Sequence, residues 1–375
     1  MIVSVKHCFL TPKLYRSLSF SSVKMSKHTN INNNITRMPF LQFLTGEDEP
    51  ISDVKLGIHG FVEYIPGNTN LIISVPHGGE MRPPFMDDRD KKPKTTKSTV
   101  VPPPGLDKDN KDTNVGDDES KVLIKESLED DTNSKISVVA DIFTQEIAKI
   151  IVKEYEENTG MRPHLILDHL HRCKMDPNRP IKYAALGDKL AEGVFKNYHN
   201  FISEAKRNID GCGLLIDLHG QNHHQNSIEI GYLYSRGMLN QVDYSLVTPS
   251  VSSLLNRHQL QPQDILHGAE SLGGLMEKAG YRACPSPRQP SPGEDKYYKG
   301  GYITQTHGSA SGGEVDAIQL ELPSELRFVR GPELRERFAR DCARVLASYM
   351  EKYYACDNSN VISSKETEST SLVKF

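Results

Sequence analysis

The residues of this chain best placed to do chemistry are His77, Glu80 and His219. The stretch Leu71-Ile-Ile-Ser-Val-Pro-His77-Gly-Gly-Glu80 reads as a strand ended by proline, which cannot donate to a ladder. Two glycines then separate His77 from Glu80. Glycine allows a turn tight enough to bring an imidazole nitrogen and a carboxylate to one point. Imidazole and carboxylate are zinc ligands, and a catalytic zinc site keeps a fourth position open, so one further protein ligand is needed. His219 meets that need. It follows a second short apolar run, Gly213-Leu-Leu-Ile-Asp-Leu-His219-Gly, and functional groups of α/β sheets gather at the carboxyl ends of strands. His-x-x-Glu alone is short and common, and taken singly it fits ordinary loop polars equally well. His223, four residues beyond His219, makes a rival ligand, but Gly220 and the neighbouring asparagines favour a loop there.

The elements that must position these groups can be read in order. Residues 54–64 alternate as one or two strands, followed by the Leu71 strand. Residues 137–158 carry apolar positions at Val138, Ile142, Ile147, Ile150, Ile151 and Tyr155, the spacing of an amphipathic helix that ends near Gly160. His164-Leu-Ile-Leu-Asp168 is a short buried strand. After it come Arg172, Asp176, Asn178 and Arg179; a guanidinium fork in a strand-end loop suits a carboxylate or an oxyanion, although pairing to Asp168 and Asp176 accounts for the arginines equally well. One long helix is predicted over 183–209, a strand over 227–234, and a short helix over 272–279. In Val315-Asp-Ala-Ile-Gln-Leu-Glu321-Leu, Gln319 and Glu321 share one face of a strand. A carboxylate at the end of an apolar strand is costly unless it is solvated or paired, which makes Glu321 the candidate general base. An amphipathic helix over 334–353 closes the domain.

Composition narrows the class. Net charge is −4 and the isoelectric point about 6.4, with no basic stripe, so nucleic acid is not an expected partner. The six cysteines, Cys8, Cys173, Cys212, Cys284, Cys342 and Cys356, show no Cys-x-x-Cys spacing and predict neither disulfides nor a thiolate metal site. No apolar run approaches the roughly 20 residues that span a bilayer, so no membrane partner is expected. Residues 1–46 contain lysines and arginines but no Asp or Glu, which suits a disordered leader or a mitochondrial transit peptide. The expected compartment is cytoplasmic, or mitochondrial if that leader is an address. A single catalytic α/β domain is expected over 47–356, interrupted at 83–135 by a polar insertion too poor in apolar residues to order itself, with a disordered tail at 357–375.

Taken together, the motifs make the chain resemble the N-formylglutamate amidohydrolase family, a branch of the zinc-dependent exopeptidase-like hydrolases. The resemblance rests on Ser74-Val-Pro-His77-Gly-Gly, Arg172 followed by Asp176-Pro-Asn178-Arg179, Asp217-Leu-His219-Gly, Lys299-Gly-Gly-Tyr-Ile-Thr304 and Ala317-Ile-Gln-Leu-Glu321-Leu. These span about residues 70–330. Aspartoacylase and the carboxypeptidases look similar at a greater distance. The resemblance implies an α/β fold with a mixed central sheet flanked by helices on both faces, in the zinc-exopeptidase architecture, and one zinc per chain. It implies His77, Glu80 and His219 as metal ligands, Glu321 as the base, Arg172 as the oxyanion stabiliser, and Asn178 with Arg179 as a clamp for a substrate carboxylate. The implied activity is hydrolysis of the N-acyl amide of a small carboxylate-bearing amino-acid derivative. A carboxypeptidase-like action on short peptides and a non-catalytic binding relative are the alternatives. The chain departs from the family pattern in its long insertion and in the proline of Asp176-Pro-Asn178-Arg179, where leucine is common, and both departures leave the substrate open.

Overall fold

The computed structural model describes residues 53–91 and 136–355, all of which fall in the compact unit Asp48–Phe375. The expected leader, most of the expected insertion and the expected tail lie outside the described residues. Among the described residues eight strands form one mixed sheet: β1 (Lys55–Leu56), β2 (Val62–Ile65), β3 (Leu71–Val75), β4 (His164–Asp168), β5 (Gly213–Gln221), β6 (Ile228–Gly231), β7 (Ala283–Cys284) and β8 (Val315–Pro323). Their spatial order is β1-β2-β4-β3-β5-β8-β6-β7. The central four, β4-β3-β5-β8, run parallel, and β2 and β6 pair antiparallel to them on either side. This is an α/β fold with a mixed sheet.

Parallel strands carry helices on their faces and are buried on both. Ile72, Ile166, Leu215 and Ala317 come from one face of the central strands and share a core with Ala191, Val194, Phe195, Tyr198 and Ile202 of the helix Lys189–Arg207. Along that face each strand turns polar toward its carboxyl end, Ile72 giving way to Ser74, Ile166 to Asp168, Leu215 to Asp217 and His219, and Ala317 to Gln319 and Glu321. A polar patch therefore forms where the apolar packing stops. The helices Thr144–Thr159 and Pro332–Tyr354 pack on one another and on the central strands.

Three expectations are corrected. The helix expected from Ser137 begins at Thr144, because Asp141 donates its backbone N–H to His77 O (2.8 Å) and Phe143 adopts a left-handed φ of 68°. The long helix expected over 183–209 is two, Ile181–Ala184 and Lys189–Arg207; Leu186 and Gly187 take left-handed backbone between them, and Asp188 caps the second through its carboxylate (2.9 Å to Leu190 N and 3.0 Å to Ala191 N). Residues 83–91, assigned to the polar insertion, are built into the domain: Met86 is buried in the core, and Arg89 is buried with bonds to three backbone carbonyls and Asp176. Among the described residues, Cys173, Cys284 and Cys342 are buried free thiols.

Candidate metal centre

His77, Asp141 and His219 converge in the buried interior at the carboxyl ends of β3 and β5. His77 Nδ1 lies 3.1 Å from His219 Nδ1, and Asp141 Oδ2 lies 3.4 Å from the first and 3.3 Å from the second. The other ring nitrogen of each histidine points at a buried carboxylate, His77 Nε2 at Asp176 Oδ1 (2.7 Å) and His219 Nε2 at Asp217 Oδ2 (2.9 Å). These contacts assign the tautomers, with each Nε2–H donating outward and each Nδ1 lone pair turned inward. Three acceptors then face one another with no hydrogen among them. Such a triangle repels itself unless a cation sits within it. Its edges also fit, since ligands held about 2.0–2.1 Å from a tetrahedral zinc are about 3.3 Å apart. The three buried side chains could therefore hold a metal ion.

Glu80 is not part of this triangle. Its side chain is exposed, and the chain from Gly79 runs on beside the end of β4 instead of turning back: Met81 N donates to His169 O (2.9 Å), and His171 N donates to Met81 O (2.9 Å). Gly79 is needed for that close passage, since a Cβ there would lie 2.4 Å from Asp168 O. Asp141, which the sequence reading placed inside a helix, brings the carboxylate instead. One signal pointed to it: a carboxylate between Val138 and Ile142, on the side of the pattern that should be apolar. The rival ligand His223 is held away by Glu229 (Nδ1 to Oε1, 2.6 Å) and stacks on Tyr298 with ring centres 4.9 Å apart.

The outer carboxylates are themselves fixed. Asp217 accepts from Ser74 Oγ (3.0 Å), which bonds Tyr198 OH (2.7 Å). Asp176 accepts from Arg172 Nε (2.9 Å), Arg89 Nη1 (3.4 Å) and Asn178 N (3.0 Å). Burial opposes its charge, but Arg172, His77 and Arg89 outweigh that and hold Asp176 well below the usual carboxylate range. Burial likewise opposes the charge on Asp141, and the two histidines bring it below the usual range. His219 shows the reverse balance. Burial disfavours its charge, yet Asp217, Asp141 and Glu321 raise it well above an ordinary histidine. A positive charge is thus favoured at this point, whether a proton or a metal carries it.

No family model matches this chain, and no curated protein matches it. Several solved structures are similar to it, two of them as follows. N-formylglutamate amidohydrolase from Ralstonia eutropha shares 14% identity at a TM-score of 0.42, over 78% of this chain and 98% of that one. A gene product from Agrobacterium tumefaciens shares 12% identity at a TM-score of 0.40, over 83% of this chain and 97% of that one.

Of the remaining sequence-predicted residues, Glu321 and Asn178 lie beside His219. Glu321 is the register partner of His219 across β5 and β8, and it accepts from Gln319 Nε2 (2.9 Å). Burial pushes its carboxyl up to about 8, with Asp141 and Glu229 adding to the rise and His219 and Arg172 opposing it. Arg172 is paired to Asp176, the pairing that the residue pattern alone allowed, and it lies within the electrostatic reach of Asp141 and Glu321. The Asn178 amide lies 3.1 Å from His219 Nε2 and donates to Gln319 Oε1 (3.4 Å), while its carbonyl accepts Ile303 N (2.8 Å). Arg179 is half-buried beside it.

Proposed function

We propose that this chain is a metal-dependent amidohydrolase of zinc-exopeptidase architecture that cleaves the N-acyl amide of a small carboxylate-bearing amino-acid derivative. The observation that carries the reading is the inward-facing triangle of His77, Asp141 and His219, with both outer ring nitrogens held by carboxylates. Zinc bound by these three residues would polarise a scissile carbonyl and bring the pKa of water toward about 7. Glu321 accepts the proton of the attacking water and returns it to the nitrogen as the C–N bond breaks, leaving an acid and a free amino acid. Arg172 supplies fixed positive charge where the carbonyl oxygen becomes negative. Asn178 and Arg179 orient the substrate through its carboxylate, so that binding energy is converted into alignment.

The partner on this reading is an N-acyl amino acid or a short peptide, with neither nucleic acid nor membrane involved. Among the described residues no helix is long and apolar enough to cross a membrane. The proposed compartment is the cytoplasm, or the mitochondrion if the acid-free N-terminus directs it there. A second reading rests on His219, which the surrounding carboxylates would also favour as an imidazolium; the cluster would then be a proton-bridged element of a binding protein.

Metal analysis of the purified chain, followed by a screen of N-acyl amino acids, tests the proposal. One zinc per chain and release of the free amino acid are expected. A chain that takes up no divalent metal at saturating zinc would overturn the metal reading in favour of the imidazolium. Release of C-terminal residues from peptides, with N-acyl amino acids untouched, would establish carboxypeptidase-like action instead.

A further inference from the structure

Arg327 is 2% exposed, yet among the described residues its guanidinium meets no carboxylate directly. It follows β8 in the π-type turn Glu325–Val329 and donates to Leu322 O (3.1 Å), Ile142 O (3.2 Å), Gln221 O (3.0 Å) and Asn222 Oδ1 (3.0 Å). Those acceptors come from three segments that carry the centre. Leu322 follows Glu321 on β8, Gln221 lies two residues after His219 on β5, and Ile142 follows Asp141. Burying a charge on neutral acceptors is costly, so the arrangement requires compensation from its surroundings. Burial lowers Arg327 from the usual arginine range, and Asp141 and, when ionised, Glu321 offset part of that cost.

The loop it grips needs gripping. Phe143 holds φ 68°, uncommon for a bulky residue, and such backbone persists only where neighbours over-determine it. A second arginine completes the hold: Arg335 donates to Arg327 O (2.9 Å) and to Glu146 Oε1 (2.7 Å), with its guanidinium carbon 4.2 Å from the centre of the Phe143 ring. Gly220 leaves room for the fork. A Cβ there would lie 2.5 Å from Arg327 Cζ, and the same glycine donates its N–H to Asp141 Oδ2 (3.1 Å).

We propose that Arg327 is the positioning residue of the centre, holding Asp141 at the two histidines through the Ile142 carbonyl and tying the ends of β5 and β8 that present His219 and Glu321. Its effect on metal affinity rests on the metal reading above; its effect on the placement of Asp141 does not. Lysine at 327 keeps the charge but cannot reach four acceptors in three directions.

Amide hydrogen exchange on the metal-free chain reads the placement, and zinc titration reads the consequence. In Arg327→Lys, and separately in Gly220→Ala, the amide of residue 220 should exchange at least tenfold faster while those of 214–216 stay at the parent level. The zinc dissociation constant should rise at least tenfold. Unchanged protection at residue 220 in Arg327→Lys overturns the proposal, as does acceleration spread evenly over β5, which marks a merely structural role. Should Arg327→Lys fail to fold, Gly220→Ala decides by the same comparison. A parent chain that binds no zinc removes the metal reading, and the amide result still decides the role of Arg327.

Discussion

His219 and Glu321 stand opposite one another in the parallel β5–β8 register, so an imidazole and a carboxylate share one face at the carboxyl ends of adjacent strands. Glutamine at 321 nearly preserves shape but cannot accept and return a proton. Glu321→Gln should therefore keep zinc and substrate affinity while turnover falls by a factor on the order of a hundred or more. On the proposed mechanism the base acts when ionised, so activity should rise with pH along an acid limb. The metal-free carboxyl lies at about 8, and a bound cation favours ionisation, placing that limb below 8. Near-parent turnover by Glu321→Gln would move the base elsewhere, with Asp217 and Asp168 the next to test.

The two possible ligand sets differ at one carboxylate. Asp141→Ala, His77→Ala and His219→Ala should each lose stoichiometric zinc, whereas Glu80→Ala, altering an exposed side chain, should retain it. Metal content by elemental analysis separates them: loss of zinc in Glu80→Ala with retention in Asp141→Ala would restore the spacing-based assignment.

Asp176 is the carboxylate on which His77, Arg172 and Arg89 all depend. Asp176→Asn removes the charge and leaves two arginines beside a buried amide. Losing one partner of a buried pair costs about 3–5 kcal/mol, and disturbing an outer-shell partner costs about 10–100-fold in metal affinity. Denaturant midpoint and zinc titration should therefore fall together. A variant with parent stability would show that the arginines find other partners.

Two buried histidines, His164 and His307, and the partly buried His199 predict acid lability. Burial lowers His164 to about 4, His199 to about 4 and, with His199 and Lys206 adding to the effect, His307 to about 3. Between about 6.5 and those values the unfolded chain binds protons that the folded chain does not, so stability is full above about 6.5 and falls as the pH drops. Urea midpoints at pH 7, 5.5 and 4.5 should decline in that order. The His199–His307 contact (Nδ1 to Nε2, 2.8 Å) makes His307→Asn a direct check, since the decline should become shallower in that variant.

What the sequence determines here is mainly local and periodic. The strands at 71–75, 164–168, 213–221 and 315–323 were legible because short apolar runs broken by turn residues have few other stable forms, and each run ends in polar residues, marking the edge of the core. The meeting of His77 and His219 was legible because both sit at those ends. Tertiary structure decided which carboxylate joins the histidines. Glu80 is near His77 in sequence, but the backbone bonds of Met81 to His169 and His171 carry it out to solvent. Asp141, 64 positions after His77 by numbering, is drawn in by bonds to His77 O and Gly220 N. Helical periodicity at 138–151 could not announce that, because the competing bonds come from strands distant in the chain. The same holds for Arg89 and Arg327: arginines are expected at the surface, and only the folded chain supplies the backbone carbonyls that receive them in the interior.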